Sequence, residues 1–317
     1  MSIAGKLVSE ILVRNWLPSS PSVIDMGNQT YAVDHTTLRD VISTLRSGKA
    51  HERYSISYSA LESFLQKSWA KTPNAPNQNV PLTTDLYRAL GFSPIDAIDI
   101  NGKFGSFVMD LNENLLTTYN FSTQYDLVTN MGVSEHLFDQ AVFFENAHQL
   151  TKPGGIMFFI LPFTGFINHG FFNYQPRFFE DLAAANEYTL HQLLFVDEYQ
   201  NLMDLKTPNE INTHFYYFLE LLTVNRYSNT FVAAVCQKSM VEKSFQAPCQ
   251  GKYLEDIVAA DVAKTYQEQP RYQTITSTKG LFVPGPTGSA FNRLRIATKR
   301  KILVALRILS RFVLKSL

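Results

Sequence analysis

The chain has 317 residues, of which 45% are hydrophobic and 18% charged, with 28 basic and 28 acidic side chains. This is an ordinary globular composition, long enough for one large domain with additions and a sizeable core. Two cysteines, Cys236 and Cys249, give no disulfide framework and no metal-ligand spacing, and no apolar run reaches the roughly 18 residues of a spanning helix.

The first residues, Ile3, Leu7, Val8, Ile11 and Leu12 with Lys6, Glu10 and Arg14 between them, predict an amphipathic helix within residues 1–21, ended by Pro18. This is not the pattern of a signal peptide. Ser22 to Gly27 predicts a short buried strand ending in a turn. From Tyr31 to about Phe92 the chain is mostly helical, with Thr36 and either Ser57 or Ser59 as caps and a Pro/Asn-rich loop from Thr72 to Pro81. A segment of this length is more than a crossover helix. It serves either as a lid or as padding at the sheet edge.

Strands follow at Ile95–Ile98, Phe107–Met109 and Tyr125–Thr129. A helix from Leu137 to Leu150 then leads to Pro153-Gly154-Gly155 and a buried strand from Ile156 to Leu161. The loop from Pro162 to Gln175 is rich in Phe and contains His169; its aromatics either close an apolar pocket or pack on the inserted helices. Pro176 opens the next helix, and Leu190–Val196 and Thr230–Val235 are the last strands, flanking an aromatic-rich segment from Asn209 to Asn225. Cys236, after an apolar run, is a buried thiol.

Net charge zero hides an asymmetry. The tail from Thr287 to Leu317 has eight basic residues and no acids, which leaves the first 286 residues at −8. Its apolar residues recur at helical spacing between the basic ones, as in a basic amphipathic helix. Such a helix suits a membrane surface, or packing within the chain or an oligomer; nucleic acid is disfavoured for want of a recognition module.

Chemistry concentrates at strand ends, where open α/β sheets bind ligands. The turn Asp25-Met26-Gly27-Asn28-Gln29 holds one glycine, whereas a dinucleotide fingerprint needs three, and there is no P-loop. Asp99 ends the second strand, Asp110 opens an Asp-Leu-Asn turn, and Thr129-Asn130-Met131-Gly132 ends the strand before Glu135-His136.

On these motifs, residues 22 to 238 resemble a class I S-adenosylmethionine-dependent methyltransferase. The resemblance implies a doubly wound, Rossmann-like α/β sheet of seven strands with an antiparallel last strand. A helical insertion follows strand 1 and a helical extension closes the chain. The corresponding domains are 1–21, 22–240 (with 31–92 as the insertion) and 241–317. S-adenosyl-L-methionine is the implied cofactor. Asp25 and Gly27 would lie beside its methionine part, with the carboxamides of Asn28 and Gln29 on its carboxylate and amine. Asp99, followed by Ile100, would hold the ribose hydroxyls, and a carboxylate can accept both hydrogen bonds of a vicinal diol. Asp110 and Leu111 would face the adenine, and Asn130 and Gly132 would complete the site.

The resemblance implies an enzyme that methylates a small-molecule acceptor, with a sugar or glycan intermediate as one candidate. Removing an acceptor proton calls for a base of near-neutral pKa. His136 and His169 are the candidates, with Glu135 to orient an imidazole or contact the acceptor. His148 reads as structural, and no metal is expected. The rival reading is a non-catalytic methyltransferase-like module that recruits a partner or membrane. The expected location is the cytoplasm, with the tail suited to the inner face of a membrane.

Overall fold

A computed structural model describes residues 3–28, 35–66, 82–196, 202–204 and 229–249. Gln29 and the basic tail lie outside the described residues.

The described strands are β1 (Val23–Met26), β2 (Ile95–Ile98), β3 (Tyr125–Met131), β4 (Thr151–Thr164), β5 (Thr189–Val196), β6 (Leu202–Asp204) and β7 (Thr230–Gln237). They form one sheet in the order β2-β1-β3-β4-β7-β5-β6. β2, β1, β3 and β4 run parallel, and β7 lies antiparallel between β4 and β5. From β1 the chain passes first to β2 on one side and later to β3 on the other. Their carboxyl ends therefore flank a topological switch point, where such sheets bind ligands.

Both faces of the sheet are covered, which is why its central strands read as continuous apolar runs. On one face Val23, Leu127, Ile156 and Phe158 pack against α1 (Ile3–Val13), α2 (His35–Ser47), α3 (Tyr58–Gln66) and α4 (Thr83–Ala89). On the other, Ile24, Met26, Val128 and Phe159 meet α5 (Leu115–Tyr119), α6 (Gln140–Leu150) and α7 (Pro176–Ala185). The inserted helices thus supply one core layer: Leu38, Val41, Leu45 and Leu61 are fully buried. Ser57 caps α3, its Oγ accepting from the Ala60 amide at 3.3 Å.

Three expectations need correction. Six of the seven expected strands form, but Phe107–Met109 does not. Phe107 makes only an isolated parallel bridge to Ile98, and Phe107 and Val108 are exposed. Among the described residues no helix covers them, and the link from Ile98 is shorter than the dozen or so residues that a parallel crossover usually takes. The seventh strand is instead β6, paired with β5. Finally, α6 starts at Gln140 rather than Leu137, because the Asp139 carboxylate caps it by accepting from the Val142 amide at 3.0 Å.

Asp25 fixes the inserted layer to the sheet. Its buried carboxylate accepts from the hydroxyls of Thr83 and Tyr87 on α4 and of Thr129 on β3. Burial pushes its pKa up from 3.8 to about 6, while these three hydroxyls pull it down. The unfolded chain therefore releases this proton at a lower pH than the folded one. The stability contributed is present below the unfolded value and lost as pH rises through the folded value. Asp25→Asn should accordingly flatten the decline of unfolding free energy between about pH 4 and about pH 6. Urea melts across that range test it; an unchanged slope in the variant contradicts the assignment.

Candidate functional site

The site is assembled from the loops that leave β1, β2, β3 and β4. At the end of β1, Gly27 adopts φ +100°, and a side chain there would place its Cβ 2.2 Å from Val133 Cγ2. Glycine alone fits this close passage between the β1 and β3 loops. The Gly27 amide donates to the Ile98 carbonyl at 2.8 Å. Next, the Asn28 amide donates to Asp99 Oδ2 at 3.0 Å, and Asn28 Nδ2 donates to the Lys103 carbonyl. Asn28 Oδ1 is buried without a hydrogen-bond partner.

Asp99 is half-buried at the end of β2. Its second oxygen accepts from the Asn101 amide at 3.0 Å. Each oxygen therefore carries one backbone bond and keeps capacity for another acceptor contact. Ile100 beside it is 69% exposed. Asp110 Oδ1 is engaged by the amide and side chain of Asn112 at 2.9 and 3.0 Å. Asn112 in turn accepts from the amides of Phe138 and Asp139, which ties this turn to the loop after β3. Leu111 turns its side chain into the core, so only its main chain is free for a ligand.

After β3 the chain makes a short 3-10 turn, Ser134–His136. Asn130 is fully buried beneath it. Its Nδ2 donates to Ser134 Oγ at 2.8 Å, and its Oδ1 accepts from the amides of Val133 and Ser134 at 3.3 and 3.4 Å. The Tyr174 hydroxyl bridges Ser134 Oγ at 2.8 Å and Gln140 Oε1 at 2.6 Å. Gln140 Nε2 closes the network on the carbonyls of Ser134 and Leu137. Asn130 is thus a support for the turn and Asp25 a support for the sheet; neither offers its side chain to a ligand.

The turn holds Glu135 in an unusual state. Its side chain is fully buried, yet neither carboxylate oxygen has a hydrogen-bond partner. Gly132 allows the close contact, since a Cβ there would stand 3.2 Å from Glu135 Oε1. The Glu135 carbonyl accepts from the amides of Phe171 and Phe172 at 2.7 and 3.2 Å. A Cβ on Gly170 would stand 2.8 Å from that carbonyl oxygen, so the loop after β4 also depends on a glycine. Burial pushes the Glu135 pKa up from 4.5 to about 7.

Two half-exposed imidazoles face this carboxylate. Glu135 Oε1 lies 3.6 Å from His169 Nε2 and 3.9 Å from His136 Nε2. Both distances exceed a normal hydrogen bond. The two rings meet edge to face with centroids 4.8 Å apart. Burial, and secondarily the neighbouring His169, lowers the His136 pKa, which favours a neutral imidazole. Phe138, Phe171 and Ile167 are exposed on the same two loops, the first two in edge-to-face contact.

The three residues expected as catalytic therefore come together, although 33 positions of sequence separate His136 from His169. Sequence spacing offered no metal-ligand cluster, whereas the fold brings potential ligand atoms of Glu135, His136 and His169 within 4.8 Å of one another. Ser134, Gln140, Asn112 and Val133 were missed as site-building residues. The Asn-x-x-x-Ser spacing of Asn130 and Ser134 was the available signal for one pair. Those of Tyr174 and Gln140 become meaningful only once the loops meet. His148, as expected, is structural, its nitrogens held by Tyr188 and the Lys243 carbonyl.

No protein-family profile and no curated protein matches the chain. Among solved structures it is similar to an O-methyltransferase from a trans-AT polyketide synthase multienzyme of Brevibacillus brevis, crystallised with S-adenosyl-L-homocysteine. Identity is 13%, with 73% of this chain and 71% of that one covered and a TM-score of 0.37. It is also similar to the StiE O-methyltransferase at 12% identity, covering 83% and 79% with a TM-score of 0.33. A third is an S-adenosylmethionine-dependent methyltransferase from Mesorhizobium loti at 12% identity, covering 71% and 95% with a TM-score of 0.23. The likeness is one of fold: four parallel strands, with β7 antiparallel between β4 and β5, agree with the sheet that the class I S-adenosylmethionine-dependent methyltransferase resemblance implies, except that its third strand is absent from the described residues.

A carboxylate buried without a partner costs folding free energy that a neutral amide costs less of. Glu135→Gln should therefore stabilise the metal-free protein at pH 8 by about 1–3 kcal/mol. Chemical denaturation measures this directly. A variant no more stable than the parent would mean that the carboxylate is satisfied in solution.

Proposed function

We propose that the protein is an S-adenosylmethionine-dependent methyltransferase acting on a small-molecule acceptor. The observation that carries this reading is Asp99. It stands at the carboxyl end of β2 beside the Gly27 turn, with each oxygen anchored by one backbone amide and open to one more donor. A ribose diol presents two such donors. The orphaned Asn28 Oδ1 fits the same ligand, since a cofactor ammonium would satisfy it. Asp110 and the main chain of Leu111 would bound the adenine side. Gln29 belongs to this proposal by its position after Asn28 alone.

Bound there, the cofactor supplies an electrophilic methyl group on a sulfonium. The chain's part is to align the acceptor and take its proton. Alignment alone can supply much of the barrier reduction. His136, whose burial favours the neutral imidazole, or His169 beside it would accept the proton from an acceptor hydroxyl, and the buried Glu135 would stabilise the resulting imidazolium across the gap. The exposed Phe138, Ile167 and Phe171 favour an acceptor with an apolar face beside its nucleophile, which a glycan intermediate on a lipid or aromatic carrier would offer. Peripheral attachment through the basic tail belongs to this proposal as well. No helix among the described residues is long and apolar enough to cross a membrane.

One observation favours the non-catalytic reading. The loop after β1 is closed onto the loop after β2 by two hydrogen bonds from Asn28, and Asp25 is fully engaged inside the fold. A loop held in this way is what a cofactor site that has lost its cofactor would show. Calorimetric titration separates the two readings. S-adenosylhomocysteine should bind the parent at micromolar concentration, and Asp99→Ala should weaken binding about tenfold or more, as loss of hydrogen bonds to a charged acceptor does. Equal affinity in the variant overturns the role of Asp99, and no binding by folded parent protein favours the recruitment module.

A further inference from the structure

Glu135, His136 and His169 converge without a hydrogen bond among their side chains. A fully buried carboxylate ordinarily takes hydrogen bonds or an ion-pair partner. Here neither oxygen has a partner within hydrogen-bond geometry, and only the residue's own backbone amide is near enough to favour the charged form. The two imidazoles nearest to it stop at 3.6 and 3.9 Å, too far to donate and too near to be unrelated. Among the described residues neither imidazole of the pair makes a side-chain hydrogen bond elsewhere. One carboxylate oxygen and two imidazole nitrogens thus border the same space, and each can offer a lone pair to it in the deprotonated carboxylate and the matching imidazole tautomer.

We propose that these three side chains form a binding site for a divalent first-row transition-metal ion. One carboxylate and two histidines are the donor set of the facial triads that hold such ions while leaving positions open. Around an ion with bonds of about 2.1 Å, neighbouring ligand atoms stand about 3 Å apart. The ligand atoms here lie within 4.8 Å of one another, so the widest pair must draw together by up to about two ångströms. The two histidines can supply that motion, because both side chains are nearly half exposed. Glu135 is the fixed member, held by its carbonyl's bonds to Phe171 and Phe172 and by the glycines at 132 and 170. The network of Asn130, Ser134, Tyr174 and Gln140 braces the turn that carries Glu135 and His136 without bonding to the three ligating side chains themselves. Imidazole nitrogens select zinc, iron, cobalt, nickel or manganese over magnesium and calcium, which prefer all-oxygen sites.

Metal binding does not depend on the methyl-transfer reading, but its consequence does. With both histidines bound to the ion, neither can serve as the base. An acceptor hydroxyl on an open position of the ion would instead lose its proton to solvent, because a bound cation lowers the pKa of such a group. The oxygen so deprotonated would be the nucleophile for the methyl group that a bound cofactor would supply, the carbon–sulfur bond breaking as the oxygen–carbon bond forms and the sulfur leaving as a neutral thioether.

The test uses the full chain without an affinity tag, stripped with a chelator and titrated with cobalt(II) chloride. The visible spectrum should report one equivalent bound at micromolar affinity or tighter. Glu135→Gln and His169→Ala should each weaken binding by about tenfold or more. His169→Cys should keep binding and add a thiolate-to-cobalt band that the parent lacks, a gain of signal that misfolding cannot produce. The site is overturned by the absence of stoichiometric binding, by an unchanged titration in the His136→Ala/His169→Ala double variant, or by a cysteine variant without the new band. S-adenosylhomocysteine titrated into the same samples keeps the two readings apart. Cofactor binding without cobalt binding removes the metal site alone, and cobalt binding without cofactor binding removes the methyl-transfer reading alone.

Discussion

A carboxylate buried without a partner is the constraint around which this molecule is arranged. Glu135 could have been satisfied by one hydroxyl or amide, and the neighbourhood has several: Ser134, Tyr174 and Gln140 are all within its turn or against it. They are instead bonded to one another and to Asn130. Two glycines remove the side chains that would otherwise push the carboxylate aside. The fold thus invests a polar network and two close backbone passages in keeping one acid dry and unpaired. Such arrangements are found where a group must meet something that arrives from outside the chain.

Asp25 makes the contrast. It too is a fully buried acid at a strand end, but it is surrounded by three hydroxyl donors, two of them from the inserted α4. Its charge is absorbed by the protein and serves to fasten one helical layer to the sheet. Asp99 is intermediate, half-exposed and partly bonded. Three acids at neighbouring strand ends therefore have three different fates, and the differences follow from which donors the surrounding loops deliver. A strand-end acid becomes a ligand contact only when the fold leaves it acceptor capacity.

Much of the sheet could be read from the chain because its central strands are buried on both faces and appear as unbroken apolar runs such as Ile156–Leu161. Pro176 and the caps at Ser57 and Asp139 act locally, so helix starts were readable or nearly so. The failures came where the environment decides. Phe107–Met109 has strand-forming residues but no covering layer, and Leu202–Asp204 becomes a strand through its pairing with β5. In the site, Glu135, His136 and His169 were legible as chemistry because acid and imidazole stood beside strand ends. Their convergence was not, because it depends on a loop after β4 folding back onto the turn after β3 through the Glu135 carbonyl. The roles of Asp25 and Asn130 as internal supports were hidden for the same reason: their partners lie on other elements.

The central claim is that the carboxyl ends of β1, β2 and β3 serve one ligand, with a ribose on Asp99 and the reacting sulfur end near Glu135, His136 and His169. A crystal structure of the protein with S-adenosylhomocysteine tests it most directly. The account predicts the ribose hydroxyls on the Asp99 carboxylate and the thioether sulfur directed toward the two imidazoles. Ligand density elsewhere on the chain, or a thioether pointing away from the Glu135 turn, would contradict it.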